Sequence, residues 1–169
     1  GRRAPADGTI DELAGSGAQV VFAQGDVARE DDVRRVLAEI AATMLPLRGV
    51  FHLAGVLDDG VLLQQTWDRF EKVMAPKVTG AWHLHQLSGS LDYFVLFSSF
   101  ASVLGSAGQA NYAAANAFLD GPAHFRRARG HPAVSINWGN WAGGGMAARL
   151  SAQDHRRFEA QGIGTIQVD

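Results

Sequence analysis

Thirteen positions separate Ser99 from Tyr112 in the stretch FSSFASVLGSAGQANYAAAN. Ser99 ends an apolar run, and Tyr112 opens an Ala-rich helical segment. Two hydroxyl groups brought together can grip a carbonyl oxygen and hand it a proton. That chemistry suits reduction of a carbonyl by a hydride donor. Asn116 lies four residues after Tyr112 and so shares its helix face. An isolated phenol has a pKa near ~10, too high for easy proton exchange at neutral pH. A nearby ammonium would lower it. Lys77, in the weakly charged stretch MAPKVTGAWHL, is the candidate. The plain alternative is a packed tyrosine and a solvated lysine.

These groups need strands and helices to position them. The apolar runs 18–23 (AQVVFA), 49–53 (GVFHL), 92–98 (DYFVLFS) and 133–138 (AVSINW) read as strands. Between them, 30–45 has apolar residues at Val33, Val36, Leu37, Ile40 and Met44, the spacing of one helix face. Segment 67–87 is helical, but Pro76 should kink or divide it. Segment 109–129 is a helix ending at Gly130, with a bend expected at Gly121-Pro122. Short helical material is expected up to about residue 161. Alternating strands and helices predict an α/β fold, a Rossmann-like doubly wound parallel sheet with helices on both faces. In such sheets ligands lie beyond the carboxyl ends of the strands. The segments there are Gly25-Asp26-Val27, Ala54-Gly55, Ser98-Ser99 and Gly139-Asn140.

Composition narrows the function classes. The 169 residues are 47% hydrophobic, enough for a core, and the net charge of −2 argues against a nucleic-acid partner. No apolar run approaches the ~18 residues of a membrane span. There is no cysteine, so thiolate chemistry is unavailable, and a cytoplasmic location fits. His83 and His85 point apart on a helix, so no metal site is expected. Gly143-Gly144-Gly145 lacks a following Lys-Ser/Thr and reads as a flexible lid.

The segments HLAGVLDDG, KVTGAWHLHQL, FVLFSSFASVLGSAGQANYAAANAFLD and INWGNWAGGGMA together resemble the ketoreductase domain of modular polyketide synthases, within the short-chain dehydrogenase/reductase superfamily. The resemblance implies that Tyr112 is the proton donor, Ser99 its partner on the substrate oxygen (Ser98 being the less suitable neighbour), Lys77 the lysine that tunes the phenol and holds the nicotinamide ribose, and Asn116 the support of the proton relay. Asn116 four after tyrosine and Lys77 upstream match the exchanged arrangement of these domains, which speaks against a free-standing short-chain reductase.

The same resemblance implies an NADPH site. Asp26 and Val27 would bracket the adenine, and Ala54-Gly55 would lie beneath the ribose. Trp138-Gly139 would flank the nicotinamide, and Arg2 would grip the 2′-phosphate. Leu57-Asp58-Asp59 resembles the substrate-orienting motif of the B-type class; otherwise Asp58-Asp59 is a solvated loop or a helix cap near Val61. The implied substrate is a β-ketoacyl thioester on the phosphopantetheine arm of an acyl carrier protein, beside neighbouring synthase domains. No Gly-rich cofactor turn precedes the first strand, so residues 1–169 are expected to be one partial domain, N-terminally truncated. A non-reducing, structural module is therefore the rival expectation.

Overall fold

The computed structural model describes residues 9–142, 156, 158, 160 and 162–167. Its frame is a three-stranded parallel sheet in the order β1-β2-β3, with β1 at Gly49–His52, β2 at Tyr93–Ser99 and β3 at Val134–Trp138. Val50 pairs with Phe94, and Ser99 with Trp138, so the strand ends lie in register. This is the expected Rossmann-like α/β architecture.

The helices follow from local chemistry. Helix α1 spans Thr9–Gly15. Helix α2, Glu30–Thr43, opens on Glu30, Asp31 and Asp32, acidic groups that favour a helix N-terminus. Helix α3 spans Trp67–Met74 and α4 spans Gly80–Leu87. Between them the backbone widens into a π turn over Ala75–Thr79, where Gly80 N–H bonds Ala75 five residues back. Pro76 has no N–H to donate, so the ordinary ladder fails there, and the extra residue is absorbed as a bulge. The expected division of this helix is observed. The bulge turns Lys77 inward, to 3% exposure.

Helix α5, Ala101–Leu104, leads to α6, Ala110–Ala128, which runs on through Gly121-Pro122. Stepping from β1 to β2 to β3 in one direction with right-handed crossovers places the connecting helices on one face. Phe94 and Leu96 of β2 accordingly pack with Ala81 of α4 and Leu119 and Ala123 of α6. Among the described residues the opposite face is covered unevenly: Phe51 and Tyr93 are exposed, whereas Val95 and Ser99 are buried.

Segment 18–23 forms no strand, contrary to expectation. A strand exists through a ladder to a neighbour, and no described strand borders β1 on that side. A cavity of about 220 Å³ instead lies among Ala23, Val27, α2 residues such as Val36, and Val50 of β1. A short parallel pair, β4 (Asn140–Trp141) with β5 (Thr165–Ile166), follows β3; the sequence pattern did not show it. Arg2 and Gly143 to Gly145 lie outside the described residues, as does most of the helical material expected near residue 161.

Candidate active site

The end of β2 delivers two neighbouring serines to different surroundings, because alternate strand residues face opposite ways. Ser98 Oγ donates to the Asn116 carbonyl at 3.0 Å and is used up by α6. Ser99, 7% exposed, accepts from Ala101 N–H at 3.2 Å, and its side chain lies close enough to the Tyr112 phenol to lower its pKa. The Asn116 side chain lowers the phenol's pKa too, and its Nδ2 donates to the Tyr112 carbonyl at 2.8 Å. Tyr112, Ser99 and Asn116 therefore converge. Asn116 is fully buried, and its Oδ1 has no partner among the described residues.

Lys77 enters from the π turn. Its Nζ donates to the Phe97 carbonyl at 3.0 Å and lies 5.9 Å from the centre of the Tyr112 ring. Burial pushes the ammonium down to about 8. The phenol moves the other way from the sequence expectation. Burial raises the Tyr112 pKa, and the neighbouring Ser99 and Asn116 side chains only partly offset it. The Asp59 charge adds to the rise, so desolvation and a like charge outweigh the neighbours that favour the phenolate.

His52, 3% exposed at the end of β1, is a neighbour that sequence reasoning missed. Burial first, then the Lys77 charge, holds its imidazole down at about 4, with the nearby Pro76 backbone acting weakly the other way. Its Nε2 has no partner among the described residues. Its place directly before Leu53-Ala54-Gly55, the turn after β1, was the available signal.

The expected cofactor positions spread along one edge. Ala54-Gly55 lie in the turn after β1, one residue past His52. Trp138 sits beside Ser99 in register, and its ring packs on Phe97 and Trp141 at 5.6 and 4.9 Å. Trp138 Nε1 and Asn140 Nδ2 are buried without partners among the described residues. Asp26 lines a cavity of about 490 Å³ with Gly25, Arg35 and Glu39. Val27 instead presses on Gly80 of α4. His83 faces the Val27 carbonyl, and His85 contacts Arg126.

The loop carrying Leu57-Asp58-Asp59 is ion-paired rather than merely solvated. The Asp58 carboxylate binds Arg69 and Lys72, each at 2.7 Å. Lys72 and Arg69 hold its pKa below the usual carboxylate range. Asp59 accepts from Gln109 Nε2 at 3.0 Å. The short helical turn after Val61 has no side-chain cap, so neither aspartate caps it.

Comparison with known proteins gives the family. Residues 1–143 match the KR domain family model. The chain is 50% identical over 164 residues to polyketide synthase GfsE of Streptomyces halstedii, covering 95% of this chain and 4% of that protein. It resembles the solved ketoreductase from the first module of phoslactomycin biosynthesis in Streptomyces sp. HK803 at 39% identity and TM-score 0.85, over 94% of this chain and 36% of that one. A solved A-type ketoreductase from a modular polyketide synthase matches at 41% identity and TM-score 0.82, over 93% of this chain and 33% of that one. The chain thus spans a small part of its curated relatives and about a third of the solved domains. On the family match and these relatives, it belongs to the KR domain family, the ketoreductase domains of polyketide synthases.

Proposed function

We infer that the chain carries the proton-donating half of an NADPH-dependent reductase acting on β-ketoacyl thioesters held by an acyl carrier protein. The observation that carries this reading is the convergence of the Ser99 hydroxyl and the Asn116 amide on the Tyr112 phenol, with Lys77 buried behind them. A ketone oxygen seated between Tyr112 and Ser99 meets two donors where negative charge develops. Donors so placed are worth ~2.7–4 kcal/mol each in the transition state. Tyr112 gives up its proton to that oxygen. Asn116 Oδ1, buried and free, can hold the water that resupplies it. Lys77 favours the phenolate left behind.

Support for the cofactor comes from the orphaned donors Trp138 Nε1 and Asn140 Nδ2 and the cavity beside Asp26. Polar groups buried without partners await a ligand or water. Asp26, Ala54, Gly55, Lys77, Tyr112, Trp138 and Gly139 would hold the dinucleotide, with Arg2 on its phosphate. Bound there, it supplies the hydride. The Leu57-Asp58-Asp59 loop supports B-type orientation of the substrate. Overall fold does not discriminate here, since A-type domains match as well. The setting we propose is a cytoplasmic, multidomain synthase whose neighbouring domains deliver the carrier. No described helix is long and apolar enough to cross a membrane.

The test is Tyr112→Phe in the full-length protein, assayed with a carrier-bound β-ketoacyl thioester. Alcohol formation should fall by at least ~10²-fold, as expected for loss of a general acid. NADPH binding, followed by fluorescence, should persist. Undiminished turnover would refute the assignment.

A further inference from the structure

Asn111 is fully buried and makes three hydrogen bonds to three different elements. Its Nδ2 donates to the Asp58 carbonyl at 2.8 Å and to the Arg69 carbonyl at 3.4 Å. Its Oδ1 accepts the Tyr112 backbone N–H at 2.8 Å. That N–H belongs to the first turn of α6, which has no acceptor within its own helix. One carboxamide thus joins the Leu57-Asp58-Asp59 loop, helix α3 and the residue that bears the phenol.

Other ties run in parallel. Gly60 N–H donates to the Gly108 carbonyl at 2.8 Å, and Gln109 Nε2 to Asp59. On the far side Arg69 holds Asp58 Oδ1 through Nε at 2.8 Å and also bonds the Asp59 carbonyl. The loop is therefore a strap between α3 and the start of α6. Asp58 spends its carboxylate on Arg69 and Lys72, so it acts as an anchor of the strap.

We propose that Asn111 is the positioning residue that fixes the substrate-orienting loop relative to Tyr112, and so sets which face of the ketone is reduced. This rests on the ketoreductase reading above. The residue type is required by the bonding pattern. Only a short carboxamide offers two donors on one side and an acceptor on the other. Aspartate keeps the size and the acceptor but loses both donors. Serine is too short to span the gap. Misplacement by about 1 Å at a reacting centre costs up to ~10²-fold in rate, while a loosened loop admits the opposite face.

The experiment uses the full-length protein with Asn111→Asp and Asn111→Ser, and with Gln109→Ala, which cuts an exposed tie and leaves the core untouched. The first readout is hydrogen exchange in the peptide carrying Leu57 to Gly60. The second is the ratio of the two alcohol stereoisomers from a carrier-bound β-ketoacyl thioester, with kcat and KM. Faster exchange is expected in all three variants. Both Asn111 variants should lose about tenfold or more in kcat with a smaller change in KM, and the minor stereoisomer should rise several-fold. Gln109→Ala should raise the minor stereoisomer with kcat nearly intact.

Unchanged exchange, or an unchanged stereoisomer ratio in folded variants, overturns the proposal. If Asn111 variants lose only melting temperature, Gln109→Ala with an unaltered ratio overturns it as well. An inert wild type overturns the functional reading and the selectivity claim with it, while the exchange data still decide whether Asn111 ties the loop down.

Discussion

The Lys77 ammonium donates a 3.0 Å hydrogen bond to the Phe97 carbonyl, twenty positions along the chain, at the point where the π turn meets the central strand. This bond seats a buried cation beside the strand that ends in Ser99. Burial holds the ammonium at about 8, well below its ordinary value. At neutral pH the lysine is still mostly charged.

The rate profile should show it. The protonated lysine is the active form, so kcat/KM should fall as pH rises through about 8. Lys77→Met should remove that limb and lower kcat/KM at pH 7, measured across a pH series at fixed ionic strength. A limb unchanged in Lys77→Met would assign it to another group.

His52 makes a stability prediction. Its folded pKa, about 4, lies below the ordinary histidine value of 6.5, so the unfolded chain binds the proton more readily. The stabilisation is complete above about pH 6.5 and is lost as pH falls toward 4. By linkage the span is worth at most ~3 kcal/mol. Denaturant melts of the full-length protein at pH 7.5 and 4.5 should therefore converge for His52→Gln relative to the native sequence.

Gly80 meets Val27 at close range. A Cβ there would stand 2.7 Å from Val27 Cγ1. Gly80→Ala gains about 1 kcal/mol of helix propensity, but overpacking of this kind costs ~1–3 kcal/mol. The variant should be neutral to destabilised, and Val27→Ala in the same chain should restore it. A single variant that melts higher than the parent would show that Val27 yields freely.

Leu119 lies between α6 and β2 with no exposure. Leu119→Ala should cost ~2–5 kcal/mol. The comparison with Ala at Leu104, 68% exposed on α5, should show under ~0.5 kcal/mol. Similar losses at both would place the core elsewhere.

Local chemistry in the sequence already held the strands around β2, the amphipathic face of α2, the break at Pro76 and the pairing of Tyr112 with Asn116 on one helix face. Each depends on residues within a few positions of one another. The strand expected at 18–23 failed because a ladder is a relation between distant segments, and apolar alternation cannot supply the neighbour. The raised Tyr112 pKa was equally out of reach. It depends on how much water the fold removes, and on which groups it sets beside the phenol.

The side chains with the chemistry, and their spacing along two helices and a strand, were determined by the sequence alone. Tertiary structure decided what each one touches. It sent Ser98 to the Asn116 carbonyl and Ser99 to the phenol, buried His52 beside Lys77, and made Asn111 a junction of loop and helix. The reason is physical: propensity and periodicity act over a few residues, whereas desolvation and hydrogen-bond partnership are set by groups that folding brings together from tens of residues apart.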